Sequence, residues 1–347
     1  MADNAIIYDN RVLTKVVLGI APKRNFFKDT FFSKEIQSST DTIQVDIDAV
    51  GNGVAPFVSP MSEGSIMSKQ GYNSNILKTA YLAPYINITP QDFMYRTAGQ
   101  NPFNNTTPEM EVITRHLVNL KRAVENTEEL MCAQAVIDGK ITYEYKVGDS
   151  LKTQSVTYNR KAEHTIALTS TKQWGNTDSD VLKNIREWRS LILKNGHNAQ
   201  ADVLVLGSKA AALFFKDEGV KELYSSSKYG ITKMDVSSDM PGLYSYGYIP
   251  GIGTVYEYER YYDKAGQSVN MIADNAFIYG ASKAGNFMAY GAIQNFDANA
   301  GNGLLPVKMY ASFENKDSKN KKVMVESSPL PCLANPNCIV AGKITEA

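Results

Sequence analysis

One stretch constrains this chain more than any other. Between Thr107 and about Asp138, the residues Met110, Ile113, Leu117, Leu120, Val124, Thr127 and Met131 recur at alternating steps of three and four. That spacing puts them on one stripe of an α-helix. Thr107 is placed to cap it, Pro108 suits the first helical position, and Glu109 and Glu111 lie near the positive end of the dipole. Gly139 is placed to end it. At about 1.5 Å per residue the helix is about 45 Å long, roughly one and a half times the span of a small domain. Such a helix is a beam on which sheets are laid.

The preceding residues, 41 to 106, read as a projecting hairpin. Thr42 to Asp48 alternates apolar and polar, with Ile43, Val45 and Ile47 on one face. Tyr81 to Ile88 reads as its return, with Pro84 making that stretch an edge or bulge. Between them Gly51, Gly53, Pro56, Pro60, Gly64 and Gly71 are too many breakers for a core element. Unpaired edges of such a hairpin call for cover by another chain, or by charge and proline. Upstream, Phe26, Phe27, Phe31 and Phe32 cost free energy if left in water. Two readings stand: a terminal segment packed on its own core, or an arm lying across a neighbouring subunit.

Downstream of the beam, Lys140 to Thr169 reads as a hairpin turning at Gly148-Asp149. A helix from Asp178 carries Val181, Ile185, Trp188 and Ile192 and stops at Gly196, and Asp202 to Gly207 is a short buried strand. Ser208 is placed to cap a helix carrying Leu213, Phe214 and Leu223. Further strands are expected at 253–262, 271–280 and 286–294, so Asn176 to Leu304 forms an α/β subdomain inserted in another. Val307–Glu314 and Lys321–Ser327 make a second hairpin that can pair beside the beam.

Composition excludes more than it selects. Lysine plus arginine and aspartate plus glutamate both number 36, so no global field draws nucleic acid or membrane. No apolar run reaches the 18 or so residues needed to span a bilayer, nor does Val16–Ala21 make a secretory signal, so a soluble intracellular protein is expected. Cys132, Cys332 and Cys338 read as buried thiols. His116, His164 and His197 lack ligand spacing, and Asp46 with Asp48 supplies too few oxygens for Ca²⁺. Gly251-Ile252-Gly253 is a turn, Gly280 to Gly285 a strand connection, and Ser225 to Lys228 a chance Ser-x-x-Lys. No catalytic, cofactor or metal residues are assigned, and the expectation is not an enzyme.

Taken in order, several motifs resemble the lambda-type (E family) major capsid proteins of tailed phages. They are Thr40 to Val45, Val54 to Pro60, Gly71-Tyr72, Tyr81 to Pro84, Phe215-Lys216, Val220 to Leu223, Tyr290 to Ala298 and Ser327 to Pro331. The resemblance runs from about residue 26 to the end. It implies an α+β, Hong Kong 97-type capsid fold: an N-terminal arm at 1–40, an extended loop at 41–106, and a spine helix opening a peripheral domain at 107–175. An axial domain follows at 176–304, and 305–347 completes the peripheral one. By the same resemblance, subunits close into hexamers and pentamers of an icosahedral virion shell around double-stranded DNA, assembled in the host cytoplasm. Scaffolding and portal proteins, and a decoration protein, are the further partners implied; no membrane or cofactor is. Candidate inter-subunit contacts are Phe26, Phe27, Phe31, Phe32, Phe57, Tyr72 and Tyr85. The alternatives are an encapsulin-like compartment and an intracellular hydrolase with residues 51–78 as a flap.

Overall fold

In the computed structural model the apolar stripe becomes one helix, Glu109–Asp138. The structure describes residues 9–48, 57, 72–93, 109–148, 150–176, 179–225, 240–264, 266–296, 304–315 and 320–345. Thr107 and Pro108 lie outside these, as do the side chains of Ile47, Asp46 and Asp48 and the Lys228 motif. The helix ends where expected: Gly139 takes φ +64°, a conformation costly for any residue with a Cβ. Arg160 finishes the terminus, its guanidinium donating to the carbonyls of Val136 (2.6 Å) and Ile137. Burial lowers the Arg160 pKa to about 10 despite Asp138 nearby.

Chain contacts divide the molecule into two units. The first comprises residues 1–43, 78–132 and 287–332; the second comprises 44–77, 133–286 and 333–347. These units divide the chain at points other than the expected 176 and 304. Residues 287–304 join the first unit because Phe287–Tyr290 pairs between Lys34–Gln37 and Pro329–Cys332. Residues 133–175 and 333–347 join the second, which draws both Thr165–Ala167 and Ile339–Lys343 into its sheet. Backbone pairing over long sequence separations sets these memberships, and no local pattern encodes it.

In the first unit, Tyr310–Asn315 and Lys321–Glu326 form the expected antiparallel hairpin, and Tyr85–Ile88 adds to its edge. Met309, Ala311, Val323, Val325 and Ile88 share a core with Ile113, Leu117, Leu120 and Val124 of the long helix and with Leu13 and Val17 of the helix Asn10–Gly19. This pairing corrects the hairpin expected at 41–106. The partner of Thr42–Asp48 is Tyr72–Lys78, and Tyr85–Ile88 belongs to the other sheet. Pro84 and the single apolar face of Tyr85–Ile88 suit an edge strand in either sheet, so only the tertiary pairing selects between them.

The second unit is built on a six-stranded sheet in the order Thr165–Ala167, Ile339–Lys343, Ala276–Gly280, Val203–Leu206, Gly253–Tyr258, Leu243–Ile249. Val203–Leu206 is buried on both faces, as a continuous apolar run requires. The helix Val181–Asn195 lays Val181, Ile185, Trp188 and Ile192 against this sheet, with Trp188 stacked on Phe277 at 3.9 Å. Its cap is Asp180, which accepts from Lys183 N–H at 2.8 Å. Ser208 does not cap as expected; it is the first helical residue, after Gly207. That helix stops at Lys216 and a second, Glu218–Ser225, begins with the Asp217 carboxylate holding Val220 N–H at 3.1 Å. Gly251 and Gly253 form a hairpin turn at φ +83° and +122°.

Candidate assembly surfaces

The face of the long helix that carries Lys121, Glu125, Glu128 and Glu129 is buried. Lys121, Glu125 and the adjacent pair Glu128 and Glu129 follow one another a turn apart, and they escaped the apolar periodicity because they are charged. In order along the helix they hold successive parts of residues 10–31. Lys121 Nζ donates to the carbonyls of Val17 (2.8 Å) and Ile20 (2.5 Å), the orphan acceptors at the end of Asn10–Gly19. Glu125 accepts from Lys23 N–H at 3.1 Å through its carboxylate and from Asn25 Nδ2 at 2.8 Å through its carbonyl. Glu129 accepts from Phe27 and Lys28 N–H at 2.9 and 3.1 Å, placing a carboxylate at the start of the short helix Phe26–Phe31.

Glu128 is wholly buried and pairs with Lys28 Nζ at 2.6 Å, and the same ammonium donates to Tyr290 Oη at 2.8 Å. Burial works against the Lys28 charge, but Glu128 and Tyr290 outweigh it and hold the lysine pKa above its ordinary value. Burial first, then Glu128, pushes the Tyr290 hydroxyl up. Burial likewise raises Glu125 and lowers Lys121.

This anchoring decides between the two readings of the phenylalanines. Phe26, Phe27, Phe31 and Phe32 are at most 4% exposed within the chain itself, with Phe27 and Phe31 stacked at 6.3 Å. These four candidate inter-subunit contacts lie in the subunit's own core, their apolar surface withdrawn from water within the chain. Phe57, by contrast, is fully exposed, and Tyr85 is 52% exposed on its edge strand with Lys322 Nζ 4.7 Å above its ring. Tyr72 opens the strand Tyr72–Lys78; its side chain lies outside the described residues.

Other surfaces share this character. Ile76 is 73% exposed on the two-stranded ribbon formed by Thr42–Asp48 and Tyr72–Lys78. In the hairpin of Lys140–Val147 and Ser150–Thr157, Tyr145 and Leu151 are exposed beyond the buried base pair Ile141 and Val156. Among the described residues neither ribbon has a third strand. Backbone donors and acceptors along such edges, beside exposed aromatic and aliphatic groups, are chemically suited to adding a strand from another chain.

In sequence the chain is similar to phage major capsid proteins. Residues 9–344 match the profile of a family described as phage major capsid protein E. The major capsid protein of Escherichia phage lambda is 23% identical over 322 residues, covering 91% of this chain and 92% of the relative. That of Enterobacteria phage P21 is 22% identical over 328 residues, covering 92% and 94%. Of solved structures, one described as a prophage capsid protein from Escherichia coli CFT073 superposes with a TM-score of 0.70 at 17% identity, covering 97% and 98%. A phage-related protein from Bordetella bronchiseptica RB50 superposes at 0.55 with 11% identity, covering 97% of each chain.

Proposed function

The chain belongs to the phage major capsid protein E family, and from that premise we propose how its surfaces build a shell. Its fold is the Hong Kong 97-type capsid fold and its role is structural, as the major capsid protein of a tailed-phage head. The observation that carries this is a family match spanning nearly the whole chain.

In this reading Phe57, Tyr72 and Tyr85 anchor contacts between subunits, and the ribbon edges supply main-chain pairing. Heterologous contacts of this kind close into rings, here hexamers and pentamers tiling an icosahedral shell. An obligate interface of about 2,000 Å² corresponds to roughly 50 kcal/mol gross at ~25 cal/mol per Å², before large ordering costs. Residues 44–77 act as the extended loop, the first unit as the peripheral domain and the rest of the second unit as the axial domain. A scaffolding protein and a portal accompany assembly in the host cytoplasm, a decoration protein is compatible with it, and double-stranded DNA is held inside without sequence-specific contacts. The balanced charge suits that role, because confined DNA needs no strongly basic wall.

Negative-stain microscopy of the expressed protein, alone and with a scaffold, tests the reading. Shells, tubes or capsomers are expected; a homogeneous monomer at high concentration under both conditions refutes it. Phe57→Ser and Tyr85→Ser, both at exposed positions, are expected to block particle formation while leaving the melting curve of the free subunit in place.

A further inference from the structure

In the second unit, three segments far apart in sequence meet at one imidazole. His164 is wholly buried at the end of the turn Ala162–His164, directly before the strand Thr165–Ala167. Its Nδ1 lies 3.1 Å from the carbonyl of Ile339, which opens the strand Ile339–Lys343. Its Nε2 lies 3.0 Å from Nδ2 of Asn195, the last residue of Val181–Asn195.

The partners dictate where the protons are. A carbonyl only accepts, so Nδ1 carries a hydrogen. The Asn195 amide is oriented by two charged neighbours: Lys161 Nζ donates to its Oδ1 at 2.8 Å, and its Nδ2 donates to Glu163 Oε1 at 2.6 Å. The second hydrogen on Nδ2 then points at Nε2, which must offer a lone pair. Turning the amide over would set Nδ2 against the Lys161 ammonium and Oδ1 against the Glu163 carboxylate. Only the neutral ring satisfies every group.

We propose that His164 is a proton-operated latch that holds the edge strand Thr165–Ala167 on its sheet and releases it in mild acid. A second proton on the ring would put Nε2–H against the Asn195 N–H, with no carbonyl able to swing into its place. Burial opposes the charged ring most, and Arg160 and Lys161 from the preceding segment oppose it further. Glu163 on the same turn favours it, the Ile339 carbonyl accepts from either form, and the balance keeps the pKa below 6.5. Apart from the latch the strand is held by Ile166 and Leu168 on the core, by Leu168 N–H on the Lys343 carbonyl at 3.0 Å and by Arg160 on Thr165 Oγ1 at 3.3 Å. It is three residues long, it pairs only with Ala341–Lys343 among the described strands, and two of its side chains are exposed. The inference stands on this network and does not depend on shell formation.

Hydrogen exchange of the full-length soluble protein between pH 8 and pH 5, corrected for the intrinsic exchange rate, tests it. Opening of residues 165–168 and 339–343 should grow by up to about tenfold for each pH unit below the ordinary histidine pKa, levelling once the folded pKa is passed. His164→Gln, which cannot titrate, should abolish that dependence. Asn195→Ala removes the opposing N–H and leaves Glu163 beside the ring, so the folded pKa should rise, the levelling should move to higher pH and the total gain in opening should shrink; it serves where the glutamine variant fails to fold. PH-independent opening in the native protein, or an unchanged profile in a folded variant, overturns the proposal.

Discussion

Glu128→Gln removes the carboxylate facing Lys28 while keeping the size of the side chain. The lysine side chain is 11% exposed and its partner 0%, so the ammonium is left in low dielectric. Its remaining partners are Tyr290 Oη and Glu35, the latter at 3.3 Å, 39% exposed and already bonded to Lys308 at 2.6 Å. Breaking a buried ion pair from one side costs about 3–5 kcal/mol. Residual pairing with Glu35 places this substitution at the lower end, about 3 kcal/mol. Replacing both partners with apolar groups, Lys28→Met with Glu128→Leu, removes both desolvation penalties and should return stability to within about 1 kcal/mol of the native chain. Urea unfolding followed by far-UV circular dichroism measures the loss. Tryptophan fluorescence supplies an internal control, because Trp174 and Trp188 are the only tryptophans and both lie in the second unit. The dichroism transition should move to lower urea in the single variant while the fluorescence transition holds. A single-variant loss under about 1 kcal/mol, or a double variant as unstable as the two singles summed, refutes the assignment of this pair as an interdependent buried anchor.

Arg160→Met should cost about 1–3 kcal/mol, because the Val136 and Ile137 carbonyls lose a charged donor, and should raise hydrogen exchange in the hairpin 140–157. At Glu35 burial works against the charge, but Lys308 and Lys28 outweigh it and hold the pKa below 4.5. Folded chains then bind fewer protons at this group than unfolded ones, so its contribution is complete above pH 4.5 and lost as pH falls through the folded pKa. Lys308→Met should flatten that part of a stability-versus-pH curve. Gly342→Ala would drive a Cβ into the Ile166 carbonyl and should strip Thr165–Ala167 from the sheet, seen as rapid exchange of those amides even at neutral pH.

Local chemistry carried much of this protein into view. The helices over 109–138 and 181–195 follow from side-chain periodicity and a stop at glycine, the buried strand 203–206 from a continuous apolar run before Gly207, and the hairpin of 310–326 from two strand-like runs around a polar turn, all signals that act over a few residues. The buried stripe at Lys121, Glu125, Glu128 and Glu129 was invisible for the opposite reason: charges read as solvated until a partner segment is placed on them. Likewise, Phe26, Phe27, Phe31 and Phe32 required cover in any fold, and periodicity has no means of saying whose cover it is. Which strand pairs with Thr42–Asp48, and which unit claims Phe287–Tyr290 or Ile339–Lys343, was decided by tertiary structure alone. Backbone hydrogen bonds are the same for every residue, so long-range pairing is selected by the packing of the whole chain.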